Sequence, residues 1–457
     1  MEKRNLNSPL SIYDGNNTYI FDIERQILTL ITLFSPADSG NDSHERKVRI
    51  TPERLQNAIQ KITYIIFEVT EKCNFKCFYC GQGENYNQSQ YRPPNRNMDM
   101  TWDTAKTILD YYLSIWNENL PHKCPVYICF YGGEPLLNFN LIKKITEYIE
   151  EKKPKELDII YNITTNGYLL RKHIDYLAIH KFQLEISLDG NQYANFYRKD
   201  KSGAETFFIV TSNLDFIKAR YPSYFEDSIK FQAVVTDRSD ILEICDFFYS
   251  RYSKTPKLME ISRTNMSISN AIDTCFVDLD EALKKARSHN SEACSFYDLS
   301  DQSDKEYIEF IISTLTKNHY THYNEFIYRT RSSLNSIKSS TCIPFDYKLD
   351  ITADGYLFPC ERTEYQYPLG RVVDKKLVVD YDKLAEDYTR IFSHYEKQCS
   401  TCIHKYSCKY CLYCEKNFHK SNSKCSKYQE IDIQNVIQMI DFLKKNPEVF
   451  KRSLLNE

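Results

Sequence analysis

From residue 61 onward the chain alternates short apolar runs with segments of helical period. Residues 62–69 are largely β-branched and aromatic, the pattern of a buried strand. Comparable runs follow at 126–131, 157–164, 182–188, 229–235 and 258–262. Between them apolar residues recur at helical spacing. Ala105, Ile108, Leu109 and Tyr112 follow Thr101, a helix-capping residue type. Leu141, Ile142, Ile145 and Ile149 mark a second helix, and Phe208, Val210, Leu214 and Ile217 a third. Strands alternating with helices predict an α/β fold built on a parallel sheet. Six strands with short links predict a partial, open (β/α)6 TIM-like barrel rather than a closed eight-stranded one. In parallel barrels chemistry sits at the carboxyl ends of the strands. Cys73, Gly132-Gly133-Glu134, Thr165-Asn166-Gly167 and Ser187-Leu188-Asp189-Gly190 each follow a predicted strand.

The barrel reading covers residues 61–264. In the extension 1–60, residues 18–22 and 26–30 predict two strands able to form a hairpin, followed by a polar loop at 35–47. Residues 265–341 read as a polar helical bridge, dense in Tyr and His at 318–328. Residues 342–425 are Cys-rich and turn-rich and predict a separate small domain. Residues 426–457 predict a terminal helix with an apolar face from Ile431 to Leu443.

The chain has 457 residues, with 59 basic and 62 acidic side chains and a net charge of −3. That balance argues against an overall nucleic-acid footprint. Hydrophobic residues at 42%, with 36 Tyr and 26 Phe, suffice for a large core. No apolar run reaches 18 residues, which argues against a membrane span. Met1-Glu2-Lys3-Arg4 has charge with no apolar stretch behind it, unlike a secretory signal. Of 16 Cys, eight lie after residue 340, five of them between 399 and 414. Clustered Cys without an export signal read as metal-ligating thiolates in a reducing cytoplasm.

Cys73, Cys77 and Cys80 are spaced Cys-x3-Cys-x2-Cys just past a strand. Three thiolates on one loop can hold three corners of an iron–sulfur cubane and leave the fourth iron open. Complete ligation would need a fourth Cys, and Cys124 and Cys129 are distant in sequence. A Cys3His zinc site would need a nearby His, and the first one following is His122.

This loop resembles that of the radical S-adenosylmethionine enzymes. The resemblance implies that the open iron binds S-adenosylmethionine and that reduction cleaves it to methionine and a 5′-deoxyadenosyl radical. It places Tyr79 near the adenine and Gly132-Gly133-Glu134-Pro135 at the methionine amino group. Thr165, Asn166 and Gly167 match the motif near the ribose. Ser187, Asp189 and Arg198 match the fourth-strand polar set, with Arg198 able to hold the carboxylate bidentately. The likeness covers about residues 60–262.

The second Cys run begins with Cys342 and Gly355-Tyr356-Leu357-Phe358-Pro359-Cys360. It continues as Cys399-x2-Cys402-x5-Cys408-x2-Cys411-x2-Cys414 and closes at Cys425. This resembles the SPASM domain of peptide-modifying radical enzymes, departing from it in having both Cys411 and Cys414. Eight Cys match two fully ligated 4Fe–4S clusters. The resemblance assigns Cys399, Cys402, Cys408 and Cys425 to an outer cluster. It assigns Cys342, Cys360 and one or both of Cys411 and Cys414 to an inner one. Cys-x2-Cys repeats also suit zinc. Cys124, Cys129, Cys245, Cys275 and Cys294 follow no ligand spacing and read as buried thiols.

The resemblance implies three 4Fe–4S clusters, S-adenosylmethionine, and a precursor peptide or protein as substrate. It also implies an electron donor such as flavodoxin or ferredoxin, an anaerobic cytoplasmic setting, and no membrane or nucleic-acid partner. The expected products are a thioether, a carbon–carbon link or an epimer. Two alternatives stand beside this: an anaerobic sulfatase maturase forming formylglycine, and a zinc-stabilised peptide-binding module without catalysis. Glu361 follows Cys360 and stands where the sulfatase maturases carry a basic Asp, so it is the candidate catalytic base.

Overall fold

A computed structural model of the chain describes residues 50–83, 97–121, 125–261, 272–290, 341–361 and most of 363–428, together with strands at 10–13, 18–22 and 27–31. The bridge at 291–340 and the terminal helix at 431–457 lie almost wholly outside the described residues, as do Cys124 and Cys294. The chain divides into two compact units. One comprises residues 51–300 and 344–384, the other residues 1–50, 301–343 and 385–457.

The second unit holds an antiparallel sheet of β1 (Leu10–Tyr13), β2 (Thr18–Asp22) and β3 (Ile27–Ile31), paired in that order. Two of these strands were legible as a hairpin; β1 was not.

The first unit opens with helix α1 (Pro52–Ile59) and is built on one ten-stranded sheet. Six parallel strands form the barrel arc: β4 (Tyr64–Thr70), β5 (Val126–Gly132), β6 (Ile159–Thr165), β7 (Gln183–Ser187), β8 (Ile229–Val234) and β9 (Lys257–Met259). Helices α2 (Trp102–Glu118), α3 (Phe139–Lys152), α4 (Leu170–Ile179), α5 (Phe207–Arg220), α6 (Pro222–Ser228) and α7 (Ile241–Tyr252) connect them. Helix α8 (Leu279–His289) follows. Thr101 caps α2, its hydroxyl accepting from Thr104 N–H at 3.1 Å. In α5 Val210, Leu214 and Ile217 are buried as expected, but Phe207 joins them in place of Phe208, which is 62% exposed.

Residues 344–384 do not stand apart from the barrel. Strand β10 (Leu349–Ile351) pairs parallel to β4, and β11 (Tyr356–Phe358), β12 (Gly370–Val373) and β13 (Lys376–Val378) continue antiparallel from it. Helix α9 (Tyr381–Cys399) follows, burying Tyr388, Ile391, Phe392 and Tyr395.

The strands read as apolar runs, yet their two faces differ. Ile163, Ile186 and Phe231 are buried, as are Phe67 and Phe130. This face packs on the helices: Phe231 and Phe248 of α7 lie 4.7 Å apart, and Ile186, Leu170 and Val210 crowd Gly167. Burying each such side chain contributes roughly 1.5–3 kcal/mol. The intervening residues Asn162, Thr164, Gln183, Glu185, Ser187 and Gln232 are only half-buried and line the inner face. Among the described residues no helix is long and apolar enough to cross a membrane.

Candidate active site

The Cys73–Cys80 loop leaves the carboxyl end of β4 and is held by backbone bonds to a later segment. Lys76 N–H donates to Lys199 O at 2.8 Å, Phe78 N–H to Tyr197 O at 3.1 Å, and Lys201 N–H to Asn74 O at 3.2 Å. Phe75 N–H donates to Cys73 Sγ at 3.3 Å. The three cysteines keep part of their surface exposed. Burial pushes the Cys73 and Cys77 thiols up to about 12, with Phe75 N–H opposing it at Cys73 and Arg198 opposing it at Cys77. Such thiols carry protons in the bare protein, and a metal group displaces them on binding.

The Gly132-Gly133 pair packs against this loop. A Cβ on Gly132 would stand 2.1 Å from Thr70 O, and one on Gly133 2.4 Å from Lys72 O. Gly132 also has φ of +134°, a region that favours glycine. The sequence suggested close approach to a ligand; the close neighbour here is the backbone entering the cysteine loop.

Glu134 is fully buried and engaged. Its carboxylate accepts from Leu136 N–H at 3.1 Å, Thr165 Oγ1–H at 2.8 Å and Asn166 N–H at 2.8 Å. Burial pushes it up to about 7 against the pull of those donors. Glu134 thereby ties the β5 loop to the β6 loop. Asn166 extends the link, its Nδ2 donating to Asn74 Oδ1 at 2.9 Å and lying 4.0 Å from Cys73 Sγ.

Asp189 lies just past the end of β7 and has no exposed surface. It accepts from Tyr79 O–H, from Arg198 Nη2 at 2.9 Å and from Val234 N–H at 2.9 Å. The Arg198 guanidinium lies 5.5 Å from the Tyr79 ring centroid. Burial drives the Tyr79 phenol well above its ordinary range, and the attraction of Asp189 keeps buried Arg198 charged. Among the described residues Arg198 Nε is buried with no hydrogen-bond partner. An orphaned guanidinium donor beside Cys77 is what an incoming carboxylate would satisfy. These residues therefore fit an iron–sulfur group with a carboxylate-bearing ligand next to it. Among the described residues no three His, Cys, Asp or Glu side chains gather as ligands of one metal ion. A cubane spreads its thiolates over separate irons and does not require that.

The sequence did not reveal the opposite end of the barrel. Phe358 pairs with Asp350, so Cys360 runs on past Lys348, at the level where β4 begins. Lys348 Nζ stands 3.6 Å from Glu361 Oε1 and 4.6 Å from the Tyr64 ring centroid. Tyr64, Cys129, Glu185 and Glu361 act on one another electrostatically, which places them on one inner surface. Gln232 donates to Glu185 within it. Polar residues at alternate positions in β7 and β8 were the available signal. Along β4, from Tyr64 to Thr70, the two ends lie about 20 Å apart.

In the other unit the cysteines form two groupings. Cys402 N–H donates to Cys399 O at 3.2 Å and Cys425 N–H to Gln398 Oε1 at 3.1 Å. Burial raises the Cys425 thiol and nearby Cys402 adds to it, while Cys399 and Cys425 both act on Tyr395. Cys342 and Cys411 instead face buried Tyr413, whose hydroxyl donates to Cys342 O at 3.3 Å. Cys408 is half-buried, and the Cys414 side chain lies outside the described residues.

Residues 67–229 match the family model described as the Radical SAM superfamily. The chain is 33% identical to an uncharacterised protein of Methanocaldococcus jannaschii over 164 residues, 36% of this chain and 49% of that protein. It is 28% identical to the radical SAM cyclopropyl synthase TigE of Paramaledivibacter caminithermalis over 211 residues, 44% of this chain and 42% of that one. The chain thus spans about half or less of the length of these curated relatives. Its fold resembles native anSMEcpe with bound AdoMet and a peptide, with a TM-score of 0.51 and 19% identity, covering 86% of this chain and 99% of that one.

Proposed function

We propose that this chain, whose residues 67–229 match the Radical SAM superfamily model, is a radical S-adenosylmethionine peptide maturase acting on a carbon of a ribosomally made peptide. Cys73, Cys77 and Cys80 hold the radical cluster. Arg198 Nε receives the carboxylate of S-adenosylmethionine, and the backbone at Gly132–Glu134, with Thr165, Asn166 and Ser187, frames the rest of it. When bound and reduced, this pair of cofactors supplies the 5′-deoxyadenosyl radical that removes a hydrogen atom from the substrate. The eight cysteines from Cys342 to Cys425 form a SPASM-type region with two auxiliary 4Fe–4S clusters. The grouping of Cys399 and Cys425 around Tyr395, and of Cys342 and Cys411 around Tyr413, supports that reading.

One observation carries the substrate class. Along β6–β8 the inner face of the barrel is polar, and Glu361 stands at its far end from the cysteine loop. Glu185, Gln232, Asn162 and Thr164 offer the hydrogen-bond partners that an extended peptide backbone needs once out of water. Glu361, beside the proposed ligand Cys360, would take up the proton as the substrate radical is oxidised and its electron passes to the auxiliary cluster there, the substrate carbon lying between the cysteine loop and Glu361. Its Nζ partner on Lys348 holds the carboxylate toward the barrel. The electron for cleavage comes from a flavodoxin- or ferredoxin-type carrier, in a reducing, anaerobic cytoplasm.

The test is anaerobic incubation of the reconstituted chain with S-adenosylmethionine, reductant and candidate peptides, read by mass spectrometry. A thioether, carbon–carbon link or epimer in a short ribosomal peptide supports the proposal. Formylglycine in a sulfatase-derived Cys peptide would replace it with the sulfatase-maturing reading. Zinc in place of iron would favour a non-catalytic module.

A further inference from the structure

Arg198 makes half of the pair that an arginine commonly makes. Facing a carboxylate, a guanidinium frequently sets two N–H groups on the two oxygens at once. Arg251 does so in this chain, donating through Nε to Asp215 Oδ1 at 3.1 Å and through Nη2 to Asp215 Oδ2. Arg198 has the same two nitrogens, yet it donates to Asp189 through Nη2 alone, at 2.9 Å. Its Nε is buried and has no hydrogen-bond partner among the described residues.

The oxygens of Asp189 account for the difference. Oδ1 accepts from Arg198 Nη2 and from Val234 N–H, at the end of β8, at 2.9 Å. Oδ2 accepts from the Tyr79 hydroxyl. The carboxylate is thus gripped from two sides, and Asp189 N–H is fixed in turn on Asn195 Oδ1 at 3.3 Å. The Tyr79 ring is buried, packed with Ile261, Ile272 and Cys275. Burial drives its phenol well above the ordinary range, so the hydroxyl keeps its proton and donates.

We propose that Tyr79 and Asp189 are positioning residues: the Tyr79 hydroxyl, by occupying Asp189 Oδ2, keeps the Arg198–Asp189 pair one-pronged and reserves Arg198 Nε for the carboxylate of S-adenosylmethionine. The inference rests on the reading that Nε receives that carboxylate. Without the hydroxyl, Oδ2 would lie open to Nε, and the pair would close into the fork that Arg251 makes with Asp215. A donor already satisfied inside the protein gains little from a ligand, whereas a buried donor left without a partner carries its full desolvation penalty until one arrives. Tyr79 stands between Cys77 and Cys80 in the chain. The loop proposed to hold the iron–sulfur group therefore also sets the donor for the ligand that binds beside it. Asp189 has no exposed surface and acts on that ligand through Arg198.

The test is equilibrium dialysis of the anaerobically reconstituted full chain against S-adenosylmethionine and, separately, its decarboxylated form, with iron measured on each sample. Tyr79→Phe removes the hydroxyl and keeps the ring. It should weaken binding of S-adenosylmethionine by about 10-fold, the lower range for a hydrogen bond to a charged group. Binding of the decarboxylated form and the iron content should stay as in the wild type. Arg198→Lys should narrow the gap between the two ligands in the same way. Equal weakening of both ligands by Tyr79→Phe, or loss of iron, would overturn the proposal, because the hydroxyl would then be holding the cysteine loop. If Arg198→Lys narrows the gap and Tyr79→Phe does not, Nε remains the carboxylate donor and this inference alone falls. A wild type that binds the two ligands equally would remove the carboxylate reading of Nε, and the inference with it.

Discussion

Lys348 Nζ and Glu361 Oε1 stand 3.6 Å apart at the amino end of the barrel, with side-chain exposures of 20% and 17%. Sequence adjacency alone would allow Glu361 to be a solvated loop carboxylate. Its pairing with a lysine laid over Tyr64 instead sets it at the inner surface. Glu361→Gln is therefore expected to retain every cluster and the formation of 5′-deoxyadenosine without substrate, yet lose modified product by at least ~100-fold. Product at the wild-type rate, measured by mass spectrometry, would remove Glu361 from the mechanism.

Arg198 is held to Asp189 through Nη2, and its Nε has no partner among the described residues. Arg198→Lys keeps a charge beside Asp189 and removes the planar donor. It should weaken S-adenosylmethionine binding by about 10–100-fold, the range for a lost charged hydrogen bond, with iron content unchanged. Equilibrium binding with unaltered affinity would contradict the assignment of Nε to the ligand carboxylate.

Glu134 couples site geometry to pH. Its ordinary value of 4.5 rises to about 7 in the fold because burial disfavours the charge. Between those values the folded chain holds a proton that the unfolded chain has released. This group's contribution is therefore complete below pH 4.5 and is lost as pH rises through about 7. Relative to Glu134→Gln, the wild type should lose stability by at most about 1.4 kcal/mol per pH unit across that window. Denaturant unfolding at about pH 5 and about pH 7.5, either side of most of that loss, measures it. A pH-independent difference between the two proteins would be the contrary result.

The sequence carried the barrel because β-branched runs alternating with helical spacing leave few other arrangements. It carried the cysteine loop because three thiolates at that spacing have few uses. What it hid follows from longer-range pairing. The Cys spacing after 340 drew residues 342–425 into one domain, but β10 hydrogen-bonds onto β4 and carries β11–β13 with it, a contact no local pattern announces. The apolar run at 229–235 masked Gln232, which the alternation of side chains along β8 turns to the inner face. Lys348 had no motif around it; only the register of β10 and β11 brings it to Glu361.

Cys411 and Cys414 pose a question of redundancy. If both ligate the inner cluster, replacing either with Ala should lower iron from about twelve to about eight per chain, four irons for each lost cluster. Cleavage of S-adenosylmethionine without substrate should persist, since the cysteine loop at 73–80 is untouched. Full iron retention in one variant would show that cysteine to be no ligand.

The central claim is that Cys73, Cys77 and Cys80 support reductive cleavage of S-adenosylmethionine. The most direct measurement is 5′-deoxyadenosine formed by the anaerobically reconstituted chain with dithionite, compared with the variant in which all three are Ala. Wild type should form 5′-deoxyadenosine and methionine in equal amounts, and the triple variant none. Formation of 5′-deoxyadenosine by the triple variant would contradict the account.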